Sequence, residues 1–260
     1  MISMNKRGVG LSALGLALAA SAGTAMGGID GGSIQIGIVI AGGNTDGTDY
    51  IWNQSISGDF LDDNTFVARF DFADAASMGL DTSLFDLDGN GSDEFVEYRV
   101  EGTNLRSTGG AQTVNLGFNV AAGFLNTAFS IDATDLAFAP INSVTGSASA
   151  AVSLTSTNFG VDATLSPDAG GAYSAKYNGG SIFSDLFTSA LTSPSFSTTP
   201  YSDSASGPIA GSVTDIDAQW NFTLSALDLA SGTSTFTVVP APASVAVLGL
   251  GGLVAVRRRR

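Results

Sequence analysis

The sequence has 260 residues with a formal net charge of −14, and it contains neither cysteine nor histidine. These absences exclude disulfides, Ser-His-Asp and Cys-His catalysis, and zinc sites built on histidine or thiolate. Six of the 10 basic residues lie in the terminal segments, which leaves four against 24 acidic residues in between, a net charge of −20. So negative a body repels nucleic acid and attracts divalent cations. We therefore expect no nucleic-acid partner.

The first 27 residues are predicted to be a secretory signal peptide. Lys6 and Arg7 form a positive region, residues 9–20 an apolar run, and Ala20-Ser21-Ala22 a small-residue cleavage pattern. The run is too short to span a bilayer comfortably. We expect signal peptidase to cleave after Ala22, with residues 25–27 as the alternative site. The competing interpretation is a buried N-terminal helix.

The C-terminal segment, residues 240–260, has three parts. A proline-marked break at residues 240–242 precedes an apolar run over residues 245–256 and the four arginines of residues 257–260. Clustered arginines stay on the cytoplasmic side of a membrane, and the run is short for a permanent span. The segment therefore predicts a transient anchor, with an ordinary single-span anchor as the alternative. We expect an apolar helix at each end of the chain.

This tail resembles the PEP-CTERM sorting signal, with Pro240-Ala241-Pro242 in place of Pro-Glu-Pro. The resemblance covers only residues 239–260 and implies nothing about the fold of the body. It implies processing by an exosortase, passage through the inner membrane of a Gram-negative bacterium, and release or display at the cell surface. Such proteins are associated with extracellular polysaccharide and biofilm.

Residues 28–239, the body, alternate between apolar and polar side chains. Period-two alternation is typical of strands with one buried and one solvated face, and Gly, Asn, Asp and Ser clusters separate the strands. We therefore predict a single all-β domain, an antiparallel β-sandwich of jelly-roll type. The alternating apolar sets are Ile34, Ile36, Ile38 and Ile40; Phe66, Ala68, Phe70 and Phe72; Val114, Leu116, Phe118 and Val120; Phe159, Val161, Ala163 and Leu165; and Ile216, Ala218, Trp220, Phe222 and Leu224.

Two segments depart from this alternation. Apolar residues recur at helical spacing over residues 181–191, which predicts a short helix crossing the sheet. Residues 193–208 contain Pro194, Pro200 and Pro208, and they predict a loop that can act as a flap.

One local motif predicts a metal site. Residues 86–97 match the spacing of an EF-hand calcium loop, although the residues after it alternate like a strand. We expect a structural Ca²⁺ site in a turn between strands, similar to Asp-x-Asp-Gly-Asn-Gly loops of extracellular β-proteins; the alternatives are that Glu97 faces solvent, or that the turn binds no ion. The predicted ligands are Asp86, Asp88, Asn90, Ser92 through its carbonyl, Glu94 directly or through water, and Glu97.

Three functions remain open for the body. The first is a structural or adhesive surface protein without catalytic activity. The second is a carbohydrate-binding module for matrix polysaccharide, with an aromatic platform drawn from Tyr50, Trp52, Tyr173, Tyr177 and Tyr201. Against that platform, Trp52 is also interpreted as a core residue, as is Trp220. The third is a carboxylate-based glycosidase or lyase; no motif indicates one, and we interpret the acidic residues as solvated charges on strand faces.

Overall fold

A computed structural model describes residues 33–62, 65–85, 99–105, 110–168 and 170–241. The predicted signal peptide, nearly all of the predicted sorting segment and both terminal helices lie outside these residues. Within them, no helix is both long enough and apolar enough to cross a membrane.

The predicted all-β antiparallel sandwich is confirmed. The described residues form 13 β-strands and two short 3-10 helices, Phe72–Met78 and Thr82–Leu84. The strands are β1 Ser33–Ile40, β2 Tyr50–Ser57, β3 Asp59–Asp62, β4 Thr65–Asp71, β5 Arg99–Leu105, β6 Gln112–Ala121, β7 Thr127–Thr155, β8 Ala163–Pro167, β9 Tyr173–Tyr177, β10 Ser181–Leu186, β11 Leu191–Ser193, β12 Thr198–Leu224 and β13 Leu229–Pro240.

Two long strands, β7 and β12, hold the layers together. A straight strand of the 29 residues of β7 would span roughly 95 Å, so β7 and its partner β12 must fold over. Residues 127–133 of β7 pair with β1, whereas residues 144–155 pair with β13. The bend lies between these stretches, where the pairing with β12 shifts register three times between Ile209 and Ala218. β-Bulges of this kind bend a strand.

The fold-over places one antiparallel sheet in two layers. The first layer runs β2-β1-β7-β12-β9-β10, and the second runs β12-β7-β13-β6-β5-β4-β3. We call the end where β7 and β12 cross between layers the arch end. Ser33 and Ala241 both lie there, because Ala241 N–H donates to the Ser143 carbonyl in the bend and Ile34 pairs with Ala133. Loops 122–126, 156–162, 194–197 and 225–228 gather at the opposite end, the loop end.

The core lies between the layers and centres on Trp220. Its ring is fully buried and lies 5.0 Å from Phe118 of the opposite layer and 5.3 Å from Tyr173, centroid to centroid. The indole Nε1–H donates to Ser234 Oγ at 3.0 Å, so this buried donor has a hydrogen-bond partner. Trp52 is also buried and lies 5.8 Å from Phe70. The interpretation of both tryptophans as core residues is confirmed.

The helix predicted over residues 181–191 is wrong. Residues 181–186 form β10, which pairs with β9, and residues 191–193 form β11, which pairs with β8. The register of β10 shifts between Ile182 and Ser184. A bulge there shifts the alternation of side chains by one residue. The apolar residues before and after the shift, among them Ile182 and Phe183, therefore follow a spacing that resembles that of a helix.

The loop predicted over residues 193–208 is wrong from Thr198 onward, where β12 begins. Among the described strands, residues 198–209 of β12 pair only with β7 and form an edge of the second layer. Proline is tolerated on an edge strand because the backbone on its free side has no hydrogen bonds to donate to a neighbouring strand.

Two predicted strand ends are also wrong. Phe72 begins a 3-10 helix, and β8 begins only at Ala163, which leaves Phe159 89% exposed.

Candidate functional site

The six predicted calcium ligands, Asp86, Asp88, Asn90, Ser92, Glu94 and Glu97, lie outside the described residues. The residues that flank them are anchored in the core: Phe85 is 1% exposed, and Val100 of β5 is fully buried and pairs with Phe70. Among the residues that the structure describes, no group of three or more acidic side chains is placed to hold a metal ion. The calcium site stays a prediction.

The five aromatic residues predicted to bind sugar do not form a shared exposed platform. Trp52 and Tyr173 are buried in the core. The hydroxyl group of Tyr50 donates to the Gly79 carbonyl at 3.3 Å and accepts the Asp81 N–H at 2.8 Å. The hydroxyl group of Tyr201 donates to the Thr192 carbonyl. These tyrosines therefore stabilise local turns and strands.

A different surface offers a continuous set of hydrogen-bonding groups. On the outer side of the second layer, β12, β7, β13 and β6 present short hydroxyl and amide side chains, because Ala148, Ala150, Val152 and their alternating neighbours take the inner side. We call this surface the hydroxyl face. Its members are Thr113, Asn115 and Asn119 on β6; Ser147, Ser149 and Ser153 on β7; Ser202, Ser204 and Ser206 on β12; and Ser231, Thr233, Thr235 and Thr237 on β13.

The register of the strands aligns these side chains in rows across the sheet. Ser204, Ser149 and Thr235 are consecutive partners on β12, β7 and β13, and Asn115 of β6 follows them. Neighbouring strands lie about 4.8 Å apart, so hydroxyl groups repeat at that spacing along a row. Some bond to each other, as Thr235 Oγ1–H does to Asn115 Oδ1 at 2.8 Å. Every hydroxyl group can both donate and accept.

A shallow groove crosses the hydroxyl face. It consists of two adjoining depressions of about 420 Å³ and about 470 Å³ that share Thr233, Ser234 and Thr235 as lining residues. Small residues create the depth, since Ala151 and Gly117 flank Thr233 in the same row. A Cβ at Gly117 would approach no atom closer than 3.8 Å. The space at the Cβ position of Gly117 therefore forms part of the groove.

Charge on the groove is confined to one margin. Glu101 lines one end, whereas Asp203 at the other end pairs with the inward-facing Ala150, and its Oδ2 accepts the Phe187 N–H of the opposite layer at 3.3 Å. The remaining lining residues are uncharged. Beyond Glu101, Arg69 Nη2 lies 3.0 Å from Asp71 Oδ2 in an exposed ion pair. The hydroxyl and amide groups along this open groove can both donate and accept hydrogen bonds. The groove does not enclose a reacting centre away from water, as catalytic sites commonly do.

The sequence predicts that the acidic residues are solvated charges on strand faces, but two carboxylates on the outer side of the first layer are less exposed than this. Asp217 is only 9% exposed, and Asp132 has a buried Oδ1 without a hydrogen-bond partner. Gln219 connects the cluster, since it donates to Asp132 Oδ2 at 3.4 Å and accepts from Lys176 Nζ. The prediction is wrong for these two residues because the polar side chains of neighbouring strands cover them.

Burial raises the pKa of Asp132, while a hydrogen bond with Asp217 and the charge of Lys176 act in the opposite direction. Because folding raises this pKa, the carboxyl group contributes stability below its unfolded-state pKa. That contribution is lost as the pH rises through the folded-state pKa. Glycosidases use a carboxyl group of raised pKa beside a second carboxylate. Among the described residues, Asp132 and Asp217 are the pair that resembles this arrangement.

No known protein family matches the sequence, and no curated protein resembles it significantly. One solved structure to which it shows a likeness is the "Structure of infectious bursal disease virus Gx strain", with 11% identity and a TM-score of 0.26 over 81% of this chain and 56% of that chain. So low a score carries no argument about fold or function. The fold and the candidate site together define an all-β sandwich protein with a polar, grooved sheet face.

Proposed function

We propose that this chain is an exported, non-catalytic cell-surface protein with a structural and adhesive role. Its sandwich forms the extracellular body, and the hydroxyl face is its contact surface. The observation that carries the proposal is the open groove across that face, in which short hydroxyl and amide side chains alternate with small and apolar residues and Glu101 is the charge at its margin. A surface of this kind can hold an extended polymer through many weak, repeated hydrogen bonds.

The terminal segments support export. The N-terminal pattern is that of a signal peptide, and the C-terminal tail resembles an exosortase substrate. In the structure, Ser33 and Ala241 leave the body at the arch end. An anchor at residues 245–256 would therefore hold the sandwich by one end and leave the hydroxyl face accessible along its side.

A structural calcium ion at residues 86–97 completes the proposal. The loop connects Phe85 to β5, and both flanks are anchored in the core. An ion there would order the connection between two core elements, and the acidic body favours cation binding. Calcium is abundant outside cells, which fits an exported body.

The groove also favours the second function, a carbohydrate-binding module for neutral matrix polysaccharide. In this version hydroxyl and amide groups, rather than the five aromatic residues first considered, recognise the sugar. Glu101 at the margin would repel polyanionic chains. A carboxylate-based glycosidase is the least favoured function, because the groove contains no paired carboxylates among its lining residues.

The test compares retention of the full chain on insoluble neutral glucan, on immobilised alginate and on bare matrix. We expect Gly117→Leu to lower retention on glucan about tenfold, equivalent to about 1.4 kcal/mol, because the new side chain fills the groove. Gly207→Leu is the matched control, since Gly207 is also a strand glycine with open space at its Cβ position.

Each outcome distinguishes the functions. Retention on glucan that Gly117→Leu weakens and Gly207→Leu preserves supports carbohydrate binding by the groove. Surface display without retention on any polysaccharide supports a purely structural role. Release of reducing sugar from the glucan would contradict the non-catalytic proposal.

A further inference from the structure

A second surface, at the loop end, has the opposite character. Five exposed apolar side chains lie on three of its loops, and Phe159 and Phe196 are the most exposed of them, at 89% and 64%. Their rings lie 5.9 Å apart. We call this surface the apolar tip; its members are Phe124, Leu125, Phe159, Val161 and Phe196.

The apolar tip stands on a rigid, hydrogen-bonded base. Asn158 Nδ2–H donates to the Ala226 carbonyl at 2.8 Å, and Ser195 Oγ–H donates to the Asn158 carbonyl at 2.7 Å. The Gly160 N–H donates to Ser195 Oγ at 2.8 Å. Below them Asp228, fully buried, accepts the Ser225 hydroxyl at 2.5 Å and the Thr157 N–H at 3.3 Å. Four loops are thus joined, since Ala226 N–H also bonds to Asn126 Oδ1.

The backbone is strained at one residue of the tip and at one residue of the loop that supports it. Phe196 has a φ of 54°, a conformation that bulky residues rarely adopt. Leu227, in the supporting loop, has a φ of 63°. Strain of this kind persists where surrounding contacts impose it, and it is concentrated at binding sites. The fold therefore maintains an exposed apolar surface at a cost in stability.

We propose that the apolar tip inserts into the surface of a lipid bilayer whose headgroups are zwitterionic or uncharged. The chemistry of the base argues against a sugar ligand, because the polar groups of Asn158 and Ser195 next to the rings are already bonded within the base. A partner at the tip must therefore gain its contacts from apolar surface.

The charge of the loop end selects the type of bilayer. Loops 122–126, 156–162, 194–197 and 225–228 contain no lysine or arginine, whereas Asp162 and Asp228 lie among them. Attachment to anionic lipid depends on basic residues near the apolar surface. An anionic bilayer would therefore repel this end of an already acidic body.

The size of the tip argues against a second copy of the chain as the partner. Five partly exposed apolar side chains offer on the order of 500 Å², whereas a stable protein–protein interface buries about 800 Å² on each partner. A fluid bilayer does not require a large complementary surface. Phenylalanine and leucine are also among the residues that form the apolar face of segments lying in the membrane interface.

The position of the tip makes its contact independent of the C-terminal segment. β13 runs for 12 residues from the loop end to Pro240 at the arch end, which separates the tip from Ala241 by about 40 Å. A bilayer touched by the tip is therefore reached from the end opposite to the predicted anchor. This proposal does not depend on export or sorting.

The absence of cysteine from the chain allows a direct test. A single thiol introduced by Val161→Cys in the full chain is labelled with nitrobenzoxadiazole, whose emission rises and shifts to the blue in an apolar environment. With phosphatidylcholine vesicles we expect a several-fold rise. Ser202→Cys, labelled in the same way on the hydroxyl face, is the control and should show no change, even if terminal segments bring the chain to the vesicles.

Adding Phe159→Ser and Phe196→Ser to the labelled Val161→Cys chain should abolish the rise. Ile182→Ser is the matched control, since Ile182 is 57% exposed but lies on β10. Phosphatidylglycerol vesicles should give a weaker signal than phosphatidylcholine. The proposal is overturned if the emission is unchanged with phosphatidylcholine, or if the double serine variant responds equally. It is also overturned if the signal appears without vesicles together with a doubled mass in sedimentation, or if it responds to glucan instead.

Discussion

Calcium is expected to raise the thermal midpoint of the full chain, and Asp86→Ala is expected to abolish that rise. A ligand present at 100 times its Kd stabilises the folded state by about 2.7 kcal/mol. In a protein of this size each kcal/mol raises the midpoint by roughly 2–4 °C. We therefore expect a calcium-dependent increase of roughly 5–10 °C, measured by differential scanning calorimetry in calcium and in chelator.

The physical reason is the position of the loop between two core elements. Phe85 and Val100 are buried on either side of it, so an ion bound by residues 86–97 only in the folded state would stabilise the connection between two parts of the core. Asp59→Ala is the control, since Asp59 is an exposed acidic residue on the edge strand β3; it should preserve the response to calcium. Identical thermal midpoints in calcium and in chelator for the wild-type protein would contradict the prediction of a structural calcium ion.

Trp220→Ala is expected to lower the free energy of unfolding by about 3–5 kcal/mol, as truncation of large buried aromatic residues commonly does. Trp220 contacts Phe118 across the core and Tyr173 and Phe187 beside it, with ring centroids 5.0, 5.3 and 6.0 Å away. The substitution also removes the indole hydrogen bond to Ser234. The surrounding aromatic rings can close only part of the resulting cavity.

Phe159→Ala is the comparison for that substitution. Its ring is 89% exposed, and surface substitutions usually change stability by no more than about 0.5 kcal/mol. Urea denaturation of the two variants and of the wild-type protein measures both values. A similar loss for Trp220→Ala and Phe159→Ala would mean that the two layers do not share the core described here.

Much of the fold could be predicted from local alternation. Residues 34–40, 114–120 and 216–224 each place a buried apolar side chain at every second position, because each strand has one face against the core. Prediction failed where the alternation is interrupted. The bulge in β10 imitated a helix, and Pro200 and Pro208 suggested a loop because an edge strand cannot be recognised before the sheet order is known.

The candidate site was much less predictable. The hydroxyl face joins four strands, and its central row pairs Ser149 with Thr235 and Thr235 with Asn115, residues far apart in sequence. Nothing local distinguishes those serines and threonines from ordinary solvated positions. The sequence did contain a signal, since hydroxyl residues alternate over residues 143–155 and 231–237. Only the pairing of those strands turns that alternation into one surface.

The apolar tip and the half-buried Asp132 were missed for related reasons. Phe159 and Val161 continue the alternation of β8 in the sequence, but β8 begins only at Ala163. Both side chains lie in the loop before it, on either side of Gly160, whose φ is 73°. Asp132 occupies an outward position of β7, where a solvated charge is the normal expectation. Its burial depends on Gln219 and on Lys176, which lies two strands away.

Export and C-terminal processing are tested most directly by the intact mass and location of the mature product in its native host. After separation of cytosol, membranes and medium, we expect a product at the cell surface or in the medium. Its N-terminus should lie just after Ala22 or within residues 25–27, and the arginines of residues 257–260 should be missing. A soluble cytosolic product that retains all 260 residues would contradict the account.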